Sequence, residues 1–182
     1  MDNKTVIIEN AKFDPWRGDF EAAYWCLKAR STDATRAAIC GCLAQNGLLI
    51  CTDGYRLHMT RLVLADVPDG FYKVTSINKK NIVLTCADNR FPQYELLLDE
   101  LTPALLRNLD TRGSFHPCLY RLFTELKKCM NVDYVRDITG DDVGDWAVYS
   151  DGEKRPVFFC DVNMDERHND KIAFLMPMLL EA

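Results

Sequence analysis

Three kinds of side chain in this 182-residue sequence could do chemistry: clustered acids, histidines and cysteines. Asp141, Asp142 and Asp145 crowd one short stretch, and Asp161 is followed by Asp165 and Glu166. Either group offers the hard oxygen donors that magnesium or a similar cation takes. Metal-assisted chemistry would also need a base or nucleophile close by. His58, His116 and His168 lie far apart with no ligand spacing, and each is expected at the surface. Gly140–Gly144 reads as a polar loop, so its acids read as solvated. The sequence holds no Gly-rich phosphate loop, nucleophile elbow or H-E-x-x-H pattern. A metal-dependent enzyme built on the Asp clusters is therefore the weaker reading, and no cofactor is expected.

The eight cysteines, at positions 26, 40, 42, 51, 86, 118, 129 and 160, include no C-x-x-C pair. Cys40 and Cys42 would share one face of a strand and could bind a metal if a histidine joined them. Their apolar neighbours, as in Ile39-Cys40-Gly41-Cys42-Leu43, favour reduced thiols acting as small hydrophobes.

The elements that would position these groups can be read from turns and periodicity. Thr5–Glu9 is a strand. Asp14 or Asp19 offers an N-cap to a helix carrying Phe20, Ala23, Tyr24 and Leu27 at helical spacing, closed by Lys28 and Arg30. A meander follows: an alternating strand over Thr35–Ala44, the hairpin turn Asn46-Gly47, an apolar strand Leu48–Cys51, and Asp53-Gly54 turning into Tyr55–Val63. Pro68-Asp69-Gly70 turns the chain into strands near Phe71–Ser76 and Ile82–Cys86. The order then restarts with a strand near Tyr94–Leu98 and a helix capped by Thr102-Pro103. That helix breaks at Gly113-Ser114 and carries an apolar stripe from Leu119 to Met130. Strands are expected at Val132–Ile138, Trp146–Tyr149, Val157–Val162 and Ile172–Met176.

The expected architecture is α+β: two strand–helix–strands units, about 1–90 and 91–182, forming one domain with antiparallel sheets and helices on one face. Its length suits one hydrophobic core. Apolar residues make up 48% and charged residues 27%, the balance of an ordinary folded protein. No stretch approaches the roughly 20 apolar residues that span a bilayer, and Met1-Asp2-Asn3-Lys4 leads into a strand rather than a signal peptide. A cytoplasmic protein without membrane contact is the expectation.

The net charge of −5 argues against a protein that simply coats nucleic acid. Charge is uneven, however. Residues 103–130 hold five bases (Arg107, Arg112, Arg121, Lys127, Lys128) against two acids, whereas residues 131–170 hold eleven acids against four bases.

Three stretches carry a family resemblance: Thr52-Asp53-Gly54-Tyr55-Arg56-Leu57, Arg90-Phe91-Pro92-Gln93-Tyr94, and Ile172 to Leu180 with its Met176-Pro177-Met178. In this order they resemble the bacterial DNA polymerase III beta sliding clamp. That family has a T-D-G-H-R-L loop, an R-F-P-D-Y segment and an M-P-M-R-L terminus. Tyr55 stands where the family has histidine and Leu179 where it has arginine, and the chain is about half the family's length.

The resemblance implies a DNA-clamp-like fold and a non-enzymatic role in replication or repair. It implies an apolar pocket for short linear peptides of replication or repair proteins, lined by Thr52, Gly54, Tyr55, Arg56, Leu57, Pro92, Leu97, Phe174, Met176, Pro177, Met178 and Leu179. Arg56 would help to orient the bound peptide. Encircling double-stranded DNA would need a homo-oligomer, with Arg107, Arg121, Lys127 and Lys128 as DNA-facing side chains. A clamp-like adaptor or decoy that binds no DNA is the alternative within the same fold.

Overall fold

The computed structural model describes residues 4–10, 18–63, 65–95, 131–140, 146–149, 157–161 and 171–176. The elements are β1 (Thr5–Glu9), α1 (Gly18–Leu27), a 3-10 turn (Ala37–Ile39), β2 (Gly41–Gln45), β3 (Leu48–Thr52), β4 (Arg56–Arg61), β5 (Gly70–Ile77) and β6 (Asn81–Cys86). They continue with α2 (Val132–Thr139), β7 (Trp146–Tyr149), β8 (Val157–Asp161) and β9 (Lys171–Leu175). The described strands form one antiparallel sheet in the order β1-β6-β5-β2-β3-β4-β9-β8-β7. Two stretches of chain thus meet at a single seam, β4 against β9.

Turn chemistry sets the register. Asn46 and Gly47 have φ of 53° and 75°, the two positive values that a tight type I′ hairpin demands. Gln45 therefore faces Leu48, and Leu43 faces Ile50. At the seam Leu57 faces Phe174 and His58 faces Ala173. Because side chains alternate, these pairings sort β4 cleanly: Arg56, His58 and Thr60 point to one face, Leu57 and Met59 to the other.

Both faces are covered near the seam, and all of Arg56–Thr60 is buried. On the first face α1 and α2 pack through Ala23, Trp25, Cys26, Leu27, Val135 and Ile138 onto Leu49, Cys51, Phe159 and Ala173. On the second face Ile50, Leu57, Met59, Phe71, Phe158 and Phe174 join Phe91 and Tyr94. Each such side chain contributes about 1.5–3 kcal/mol by leaving water.

Four expectations are corrected. Val132–Ile138 is helix α2, not a strand. Asn131 caps it by accepting from the Asp133 and Tyr134 amides, and Gly140 closes it at φ 66° with its N–H on the Arg136 carbonyl. The strand expected from Thr35 begins only at Gly41. Asp33 accepts from both the amide and hydroxyl of Thr35 and turns the chain, and the 3-10 turn follows. Around Tyr94 the chain pairs in no strand, while residues 96–130, with the expected second helix, lie outside the described residues. Finally, α1 buries Ala22, Trp25 and Cys26 and leaves Tyr24 exposed. Small Ala22, Ala23 and Cys26 let that helix sit close on β3 and β4. Asp19 does not cap it from outside; its carboxylate accepts from the Val63 and Ala65 amides beyond β4.

Candidate functional site

The loop between β3 and β4 is ordered from within. Thr52 Oγ1 donates to the Arg56 carbonyl at 2.7 Å and accepts from the Gly54 amide at 3.0 Å. Asp53 Oδ1 accepts from the Tyr55 amide at 2.9 Å and the Arg56 amide at 3.0 Å, the side-chain turn that aspartate favours. Gly54 takes φ 94°, and a Cβ there would lie 2.7 Å from Arg36 Nη2. The loop pushes Tyr55 outward, 61% exposed, and the Tyr55 carbonyl accepts from the Met176 amide at 2.8 Å. Met176 is itself 41% exposed. An exposed aromatic and an exposed thioether thus flank the end of the seam.

Next along β4 and β9, Leu57 and Phe174 join Phe158 in the buried apolar cluster, the two phenylalanine rings meeting edge-on at 5.2 Å between centroids. The Arg90–Tyr94 stretch contributes to the same cluster from farther off. Phe91 lies 6.4 Å from Phe71 on β5, and the Tyr94 hydroxyl donates to Gln45 on β2 at 2.8 Å. From β5 to β4 is three strand spacings, about 14 Å. Loop, second stretch and β9 therefore share one face, but the second stretch stands at the other end of it. Pro92 is exposed there. Leu97, Pro177, Met178 and Leu179 lie outside the described residues, as do Arg107, Arg121, Lys127 and Lys128.

Arg56 does not face this surface, which corrects its expected role in orienting a peptide. Strand alternation sends it to the helix side, where it is 8% exposed. Its Nε donates to Asp53 Oδ2 at 3.1 Å, Nη1 to Asp137 Oδ2 at 2.7 Å and Nη2 to the Lys28 carbonyl at 2.6 Å. The Tyr134 ring lies under the guanidinium at 4.3 Å. Burial, then the Asp53 charge, raises the Tyr134 phenol above its usual range.

The guanidinium that does border the loop is Arg36, which sequence reasoning passed over. It is exposed and its Nη1 donates to the Asp53 carbonyl at 3.0 Å. Reading Thr35–Ala44 as one strand hid it; the Asp33-Ser/Thr-type turn signal at Asp33–Thr35 was the clue to its placement.

Among the described residues, His58 and Cys26, Cys42 and Cys51 are packed in the core. His58 is fully buried rather than exposed, stacked on Trp25 with Nδ1 3.1 Å from the Trp25 carbonyl. Cys51 touches both Cys26 and Cys42 in the core; the Cys51 contact and then burial push the Cys42 thiol well up, and burial and then the Cys26 contact push the Cys51 thiol well up. Among the described residues no group of three His, Cys, Asp or Glu side chains could hold a metal ion. Asp141, Asp142, Asp145, Asp165, Glu166, His116 and His168 lie outside them. No helix among the described residues is long and apolar enough to cross a membrane.

Neither a protein-family model nor a curated protein matches the sequence. Solved structures do. The DNA polymerase III beta subunit of Thermotoga maritima superposes with a TM-score of 0.56 at 10% identity, covering 100% of this chain and 67% of that one. An H. pylori beta clamp, solved in complex with diflunisal, gives 0.56 at 11% identity, covering 99% of this chain and 68% of the other. The fold is clamp-like. Identity this low carries the architecture and not the site.

Proposed function

We propose that the chain is a non-enzymatic, clamp-like binding protein that takes a short linear peptide of a replication or repair protein at the end of the β4–β9 seam. One observation carries this reading. Tyr55 and Met176 stand exposed and joined through their backbones, at the end of the seam two residues along from the buried Leu57–Phe174 pair. An exposed apolar pair beside an apolar cluster offers a purchase to an anchoring side chain, and methionine adapts to varied guests. Arg36, at the rim, supplies the cationic donor in place of Arg56. Pro92, Leu97, Pro177, Met178 and Leu179 would extend the same surface, with Thr52 and Gly54 shaping the loop rather than touching the guest.

The test is a titration of the full chain with a fluorescent clamp-binding peptide. Tyr55→Ala and Met176→Ala should each weaken binding roughly tenfold while leaving thermal stability unchanged. Leu57 and Phe174 are 4% and 1% exposed, so their truncation would damage the fold and report nothing about the site. If the parent saturates and both rim variants bind as it does, the peptide lies elsewhere.

A second reading, an adaptor that binds peptide but not DNA, has its own support. The outward side of α1 presents Glu21, Tyr24 and Lys28, and Lys28 lies 3.9 Å from Asp137. That is not a phosphate-neutralising track, and the whole chain carries −5. Encircling double-stranded DNA as a homo-oligomer would rest on Arg107, Arg121, Lys127 and Lys128. Salt-sensitive DNA retention together with an oligomeric mass would favour the ring; peptide binding by a monomer would favour the adaptor.

A further inference from the structure

We propose that Asp137, on helix α2, is a positioning residue for the β3–β4 loop, acting through Arg56, so that the docking of α2 and the shape of the peptide surface are coupled. This rests on the reading of that surface given above. Arg56 sits in the chain between exposed Tyr55 and buried Leu57, and its three donors run to three different segments. Asp53 belongs to the loop itself, the Lys28 carbonyl to the end of α1, and Asp137 to a helix 81 residues away in sequence. Tyr134, one turn before Asp137, stacks on the guanidinium and also meets Asp53. The same helix is tied to α1 right beside Asp137, where Trp25 Nε1 donates to the Ile138 carbonyl at 2.8 Å.

The consequence is mechanical. Asp53 must present Oδ1 to the Tyr55 and Arg56 amides, and its Oδ2 is held by Arg56 Nε. The far end of that guanidinium is held in turn by Asp137, in a short charge-assisted bond with the arginine largely out of water. Removing the Asp137 charge leaves Nη1 without its carboxylate and frees the side chain to swing. The Asp53 turn then loses its brace, and Tyr55 loses its fixed position. By reciprocity, a guest that tightens the loop also tightens α2 against the sheet.

The experiment reads both ends on the full chain. Amide hydrogen exchange is measured over residues 52–57 in the parent, Asp137→Asn and Asp137→Glu, and the same proteins are titrated with the fluorescent clamp-binding peptide. Asp137→Asn should speed exchange at Tyr55 and Arg56 about tenfold and weaken the peptide about fivefold, while Asp137→Glu restores most of both. Unchanged exchange in a folded Asp137→Asn overturns the coupling. Faster exchange with undiminished peptide affinity overturns the positioning role and leaves the ion pair as a purely structural brace. If the parent itself takes no peptide, the proposed function falls, and the exchange result still decides whether Asp137 orders the loop.

Discussion

His58 lies flat against Trp25, ring centroids 4.4 Å apart and 16° from parallel, in the layer between α1 and the sheet. Its Nδ1 is 3.1 Å from the Trp25 carbonyl, which can only accept, so Nδ1 carries the proton and Nε2 is a buried atom with no hydrogen-bond partner among the described residues. A second proton on Nε2 would meet no acceptor among the described residues. Burial therefore lowers His58 from 6.5 to about 3, with Arg56 and Lys28 pushing the same way and Asp137 opposing.

This sets an acid limit on the fold. A histidine depressed in the folded state is protonated first in the unfolded chain, so it has no effect above about pH 6.5. Stability then drains as pH falls from 6.5 towards 3. The loss from His58 alone should reach roughly 3 kcal/mol near pH 4. Urea unfolding at a series of pH values for the parent and His58→Phe checks it. The gap between the two curves should be constant above pH 6.5 and should shift in the variant's favour below it; parallel curves throughout would remove the histidine from the account.

Trp25 is the next residue to test. It stacks on His58 on one side and on Trp146 at 5.7 Å on the other, and its indole N–H holds the Ile138 carbonyl. Trp25→Phe keeps an aromatic ring but removes the donor, which should cost about 1–3 kcal/mol by leaving that carbonyl unsatisfied. Trp25→Ala should cost about 3–5 kcal/mol. Denaturant midpoints measure both, and α2 amides should lose exchange protection in each.

Gly54→Ala is predicted to strain the loop twice over, through its φ of 94° and through the Arg36 guanidinium where the Cβ would go. A cost of about 1–2 kcal/mol is expected. In an Arg36→Ala background the steric part disappears and only the backbone part remains, so a double-mutant cycle separates them. Additive costs would mean that Arg36 simply moves aside.

How much of this could be read beforehand depended on whether the signal was local. Asn46-Gly47 needs no tertiary context to make a hairpin, and the strands after it came out within a residue or two, whereas the strand before it begins six residues later than expected. β1, β7, β8 and β9 were likewise marked by short apolar runs. Val132–Ile138 misled because Val, Tyr and Ile are good strand formers. Asn131 and Gly140, which bracket the segment as caps, were the stronger signal and were passed over. His58 misled for a different reason. Flanked by Arg56 and Arg61, it reads as surface, and only the pairing of β4 between β3 and β9 shows that every side chain from 56 to 60 is enclosed.

The candidate surface was legible in part for the same reason. Letters in three stretches pointed to one place, and register puts Leu57 opposite Phe174. Which way Arg56 turns could not be read from letters. It follows from the strand's alternation and from Asp137, a residue in a segment whose helical form was itself missed.

The seam between β4 and β9 has a consequence for the order in which the chain can be assembled. β2, β3 and β4 are joined by turns of two and three residues, so they can zip together as soon as they leave the ribosome. The other edge of β4 waits for β9, which is synthesised more than a hundred residues later. Through that interval β4 is an open edge bearing Leu57 and Met59, the kind of nascent surface that sticks to its neighbours. The surface proposed for peptide capture is thus among the last features to exist, and slow translation after residue 61 should raise the demand on chaperones.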